Sequence, residues 1–86
     1  MAATTLRLAD CPNDVPTIVV RVDRGSSPCD DATLRRLGES GFIPGEPVRV
    51  LRRGPGGREP LAVLVGDTLF ALRLAEAGCI EVTRGV

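Results

Sequence analysis

The stretch Leu34-Arg35-Arg36-Leu37-Gly38-Glu39-Ser40-Gly41-Phe42-Ile43-Pro44-Gly45 spells the end of a helix, a forced stop and the turn into a strand. Gly41 can take the left-handed conformation that closes a helix at no steric cost. Phe42 then falls where a Schellman motif places an apolar side chain, packing back on Leu37. Pro44-Gly45 blocks a helical restart and points the chain into Val48-Arg49-Val50-Leu51. Upstream, Ser27-Pro28-Cys29-Asp30 has the form of a helix start, with a hydroxyl N-cap, proline at the first helical position and a carboxylate at N3. The helix is therefore predicted from Pro28 to about Ser40. Leu34 and Leu37 form its narrow apolar stripe, and Arg35, Arg36 and Glu39 face water.

The rest of the chain is strand-rich. Thr17 to Val22 is dense in β-branched residues, with Ile18, Val20 and Val22 on one face. Asp23-Arg24-Gly25-Ser26 reads as a turn, and Val48 to Arg53 as a strand. Gly54-Pro55-Gly56-Gly57 is a flexible loop of strong breakers. Leu61 to Val65 and Thr68 to Leu72 are joined by Gly66-Asp67, a pair suited to a type II′ hairpin turn. That loop sets the register: Val65 faces Thr68, Val63 faces Phe70, and Leu61 faces Leu72. On the opposite face Leu64 meets Leu69, and Ala62 meets Ala71. A hairpin with one face in water alternates apolar with polar, whereas both faces here are apolar. Each then needs a cover: one face lines a core, and the other lies under the helix, the N-terminal segment or a second protein. A small barrel of about five short strands with one inserted helix, SH3-like in form, also removes most exposed edges.

The bulk numbers restrict function. With 86 residues the chain is expected to form one domain over its whole length, with its core from about residue 6 to 82. Such a domain buries only about 60–65% of its unfolded surface, which suits a binding module better than a deep catalytic pocket. Eleven Arg balance eleven Asp plus Glu, so no global positive excess favours nucleic acid or an anionic membrane. Lys, His, Trp and Tyr are absent. That removes the usual general base near neutral pH, the Schiff-base and P-loop lysines, and the rings on which bases stack. Glycines 54, 56 and 57 precede no GK[ST] and no helix, so they do not make a phosphate loop. Nothing approaches the roughly 18–20 apolar residues of a membrane span, and no signal-peptide segment follows Met1. A cytoplasmic location, without membrane insertion, is expected.

Cys11, Cys29 and Cys79 are odd in number and lack a CxxC spacing, so three free thiols are expected in a reducing compartment. No cofactor is required by these residues. Candidates to hold a divalent metal, zinc or ferrous iron, are Cys11, Asp14, Cys29, Asp30 and Asp31, which could meet beside the helix start. The competing account is helix-capping acids and core thiols.

The "RLxxxGxxPG" run from Arg36 to Gly45 resembles the bacterial ferrous iron transport protein A family, FeoA. So does the ending: a strand over Val63 to Asp67, then Phe70-Ala71-Leu72-Arg73-Leu74-Ala75-Glu76-Ala77 and a final Ile80-Glu81-Val82. The resemblance spans roughly Leu6 to Val82. Ser40 departs from it, standing where the family carries a large apolar residue. The resemblance implies a non-enzymatic accessory role in ferrous iron uptake. The expected partner is the large inner-membrane ferrous iron transporter, through its cytoplasmic GTP-binding part. Arg52, Arg53 and Arg58 at the ends of the Gly-rich hairpin offer planar donors for carboxylates or phosphates on a partner. Arg73 either pairs with Glu76 or contacts a partner. Phe42, Leu64 and Leu69 are the candidate apolar contacts, with burial under the helix as the competing position for Leu64. A weak homodimer through the same apolar face is a further expectation. The alternative functions are a transition-metal carrier, a metal-dependent regulatory module and an RNA-binding small barrel. The absence of a helix-turn-helix argues against direct DNA binding.

Overall fold

The computed structural model describes residues 5–25 and 28–84. Six strands form one antiparallel sheet in the order β1-β6-β2-β3-β4-β5. They are β1 (Thr5–Arg7), β2 (Thr17–Val22), β3 (Pro47–Arg53), β4 (Leu61–Val65), β5 (Thr68–Leu72) and β6 (Ile80–Arg84). Helix α1 (Asp31–Glu39) lies between β2 and β3, and a one-turn helix α2 (Leu74–Ala77) between β5 and β6. The architecture is the expected mainly β, SH3-like one with an inserted helix. It has one strand more than predicted, because β1 is only three residues long and is defined by pairing with β6 rather than by any pattern of its own.

The helix stop forms as the sequence requires. Gly41 sits at φ +119°, its N–H donates to the Gly38 carbonyl at 3.1 Å, and the Phe42 N–H donates to the Leu37 carbonyl at 3.1 Å. Those two bonds are the Schellman pair. Ser40 adds its Oγ to the Arg36 carbonyl at 2.8 Å, a polar C-cap in place of an apolar contact. The start of the helix differs from expectation. Ser27 lies outside the described residues, and the helix begins at Asp31, not Pro28. Asp30 is the N-cap, accepting from the Thr33 N–H at 2.8 Å. A carboxylate three residues before a free amide caps as well as a hydroxyl, so Pro28 can stay outside.

Bonds from Thr33 hold the Asp30 carboxyl below its ordinary value of 3.8. A lowered carboxyl pKa stabilises the fold above the ordinary value, and that contribution disappears as pH falls through the folded-state value. Asp30→Asn keeps a capping oxygen but has no carboxyl to titrate. Urea midpoints measured downward from neutral pH should therefore show wild type losing its advantage over this variant below pH 3.8.

The core is built from Leu8, Val19, Leu37, Phe42, Val48, Val50, Leu61, Val63, Val65, Leu72, Ile80 and Val82, with Cys11, Cys29, Ala77 and Cys79. The rings of Phe42 and Phe70 stand 5.6 Å apart, tying the helix stop to β5. In β2 the buried face is Thr17 and Val19, not the Ile18-Val20-Val22 face. A bulge between Val19 and Arg21 breaks the alternation and returns Val22 to the core. Thr17 is tolerated inside because its Oγ1 donates to the Val48 carbonyl at 2.6 Å.

The β4–β5 register is the one the Gly66-Asp67 loop demands, from Val65↔Thr68 through Leu61↔Leu72. Its second apolar face is not covered by α1: Leu69 is 62% exposed, Ala71 is exposed, and Leu64 and Ala62 are half-buried. The Gly-rich loop is more ordered than the breakers suggested. Pro55–Gly57 makes a short 3-10 turn, and the Gly54 N–H donates to the Pro60 carbonyl at 2.9 Å. Nor are all three cysteines free. Cys29 and Cys79 form a disulfide across 50 residues, leaving Cys11 as a buried free thiol. Sequence spacing offers no view of this pairing, which depends on α2 folding back beside the start of α1.

Candidate functional site

Strict alternation places the outward face of β3–β5. Val48, Val50, Leu61, Val63, Val65 and Leu72 point into the core, so Arg49, Ala62, Leu64, Leu69 and Ala71 point away. Two rows result: Arg49–Leu64–Leu69, and Arg52–Ala62–Ala71 after the bulge between Val50 and Arg52. At the end of the first row a shallow pocket of about 180 Å³ is lined by Pro16, Pro47, Arg49 and Leu64. The two rows are aliphatic, carry two guanidinium groups and hold no carboxylate of their own. Among the described residues Arg49 and Arg52 make no ion pair.

The candidate partner contacts divide. Leu69 and Arg52 are exposed on this face, and Leu64 is half-buried within it. Arg58 is exposed on the neighbouring loop. Phe42 is 1% exposed and belongs to the core, so it cannot meet a partner. Arg53 is half-buried, and its Nη2 donates to the carbonyls of Ala9 and Cys11, both at 2.8 Å. It holds the turn at Leu8–Asp10 instead of joining a solvent patch, because register opposite core residue Leu61 sends it to the inner side. Arg73 is exposed, and among the described residues it has no ion-pair partner. Glu76 accepts from the Arg73 backbone N–H at 2.8 Å with one oxygen, and from Arg36 at 2.5 Å with the other. Glu59 is likewise engaged, accepting from the Leu74 N–H at 2.9 Å. These carboxylates close the exposed amides at the start of α2. Arg49 and Ile43, the latter 48% exposed, are surface candidates that the motifs did not single out. The alternation Val48-Arg49-Val50 could have found Arg49.

The metal candidates are not brought together. Asp14 stands in a turn at φ +63° with its N–H on the Val50 carbonyl, and Asp30 caps α1. Asp31 pairs with Arg24, and Cys29 is bound to Cys79. Cys11 is buried; desolvation, then the charge of Asp10, raises its thiol pKa, which works against a thiolate ligand. Among the described residues no three His, Cys, Asp or Glu side chains are grouped to hold a metal ion. The residues present thus do not fit a bound zinc or ferrous ion. Among the described residues no helix is long and apolar enough to cross a membrane.

Known proteins share this arrangement. The FeoA domain pattern matches residues 6–84. FeoA of Stenotrophomonas maltophilia, solved in complex with zinc, is described as a procaryotic SH3 domain protein and a candidate ferrous iron transport activating factor. It is 43% identical with a TM-score of 0.78, over 90% of this chain and 88% of that one. FeoA of Chlorobium tepidum is 27% identical with a TM-score of 0.80, over 94% of this chain and 71% of that one. IdeR of T. acidophilum, 19% identical with a TM-score of 0.72, covers 99% of this chain with 36% of its own and shares the fold alone. A search of curated proteins gives no match. The matched span contains the helix stop, the two-faced hairpin and the turn into β6, and the chain belongs to the FeoA family.

Proposed function

We propose that this protein is a non-enzymatic accessory factor of ferrous iron uptake. It acts in the cytoplasm by docking on the GTP-binding part of the inner-membrane ferrous iron transporter. The observation that carries the reading is the outward face of β3–β5, where Leu64, Leu69 and Ala71 lie beside Arg49 and Arg52, neither with an ion-pair partner among the described residues. An apolar centre rimmed by guanidinium groups suits a partner surface of apolar residues and carboxylates. Tighter binding to one transporter conformation than another would shift its activity, by no more than the difference in affinity.

The test is binding of the purified chain to the detergent-solubilised transporter, with and without guanine nucleotide. Leu69→Glu and Arg52→Glu alter exposed groups, so each should leave stability within about 0.5 kcal/mol of wild type. Both should weaken binding, Leu69→Glu by more than about tenfold, as expected for the most exposed large apolar side chain of the face. Absence of saturable binding by folded protein in either nucleotide state would remove the proposal.

A further inference from the structure

Strand β5 ends the sheet: β4 flanks one side, and among the described residues no strand flanks the other. The two-residue loop decides which backbone groups are left over. Val65/Thr68, Val63/Phe70 and Leu61/Leu72 are the hydrogen-bonded pairs of such a hairpin, so the N–H and C=O groups of Leu69 and Ala71 point to the open edge. Among the described residues neither makes a backbone hydrogen bond outside the hairpin. Edge strands are usually blunted by a charge, a proline, a bulge or a covering segment. β5 reads Thr-Leu-Phe-Ala-Leu, its pairing with β4 has no bulge, and a groove of about 860 Å³ runs along it, between Phe70–Arg73 and α1.

The edge is complementary to itself. In an antiparallel pairing centred on Phe70, Leu69 lies opposite Ala71 of the second strand, large against small, and Ala71 opposite Leu69. One step beyond the strand at each end, Asp67 comes beside Arg73 of the other copy. Both are exposed, and among the described residues neither has an ion-pair partner. We propose that β5 pairs with β5 of a second copy, giving a two-fold dimer with one continuous sheet. Leu69 and Ala71 would then be the hydrogen-bonded pairs, satisfying the outward backbone groups of both chains. The pairing uses the backbone edge of β5 and needs no transporter, although the side chains of Leu69 and Ala71 also belong to the docking face. The contact is small beside a standard interface, so the dimer dissociates on dilution.

Analytical ultracentrifugation of the full chain from about 10 μM to about 1 mM at low salt tests this, a range that brackets weak association. The average mass should climb from monomer toward dimer. Ala71→Pro removes an N–H that bonds nothing in the monomer, and should abolish association while circular dichroism stays native. Asp67→Arg and Arg73→Asp each place like charges together and should weaken the dimer by about tenfold; the double swap should restore it to within about threefold. A monomer at every concentration would overturn the proposal and leave the edge to an extended segment of another protein. A dimer indifferent to both charge reversals would overturn the register. Should Ala71→Pro fail to fold, the charge swap alone decides.

Discussion

Phe42→Ala is expected to lower folding stability by about 3–5 kcal/mol, the range for removing a buried aromatic side chain. A domain of this length has a total of about 4–13 kcal/mol, at the usual ~0.05–0.15 kcal/mol per residue. The substitution would therefore leave the protein marginal. The large cost arises because the ring fills the core beside the helix stop, in one cluster with Leu37, and meets Phe70 on the far hairpin, while the backbone bond to Leu37 survives the substitution. At 1% exposure the ring has no route to relax into solvent, so truncation leaves a cavity between helix and sheet. Urea denaturation of the variant measures this. A loss under about 1 kcal/mol would mean that the ring is not packed as described, and would return Phe42 to the candidates for partner contact.

Breaking the Cys29–Cys79 bridge should cost about 4 kcal/mol, the chain-entropy value for a loop of this length and the top of the usual 2–4 kcal/mol range. The bridge joins residues 50 apart, linking the segment before α1 to the end of α2. Its removal frees the unfolded chain across most of the domain. In a chain of this size each kcal/mol moves the melting temperature by about 4–8 °C, so reduction should lower it by about 15–30 °C. Cys29→Ala/Cys79→Ala is the appropriate variant, because a hydroxyl at fully buried position 79 would add a desolvation cost. Thiol counting in denaturant gives an independent check. Without reductant only Cys11 should react, and with it all three cysteines should. Identical melting of oxidised and reduced protein would exclude a contribution from the bridge.

The helix stop was legible because Gly41, Phe42 and Pro44 act within a few residues of one another, through conformations open to few other residue types. The hairpin register followed from loop length alone, and the alternation marked both hairpin faces as apolar, the outer of which is exposed or half-buried. Whether α1 covers that surface depends on where β2 and β3 carry the helix, which no local pattern encodes. Arg53 looked equivalent to Arg52 and Arg58, yet one bulge in β3 separates their fates. Arg52 stays on the outer rows and Arg53 is drawn to the carbonyls of Ala9 and Cys11. The metal candidates are not grouped among the described residues: Asp30 serves a cap, Asp31 an ion pair and Cys29 a disulfide, while Cys11 is a buried thiol.

By itself the sequence determined the helix stop, the hairpin and its register, the mainly β class and the family likeness. All of these rest on residues close together in the chain, where backbone sterics and period-two alternation leave few choices. Only the tertiary structure decided that β1 closes onto β6, that Cys29 meets Cys79, and that Phe42 is buried. It also decided that among the described residues the outer face of β3–β5 is left open, with Arg49 and Arg52 outside any ion pair. Those outcomes join residues tens of positions apart, and their free energy comes from packing that exists only once the sheet has formed.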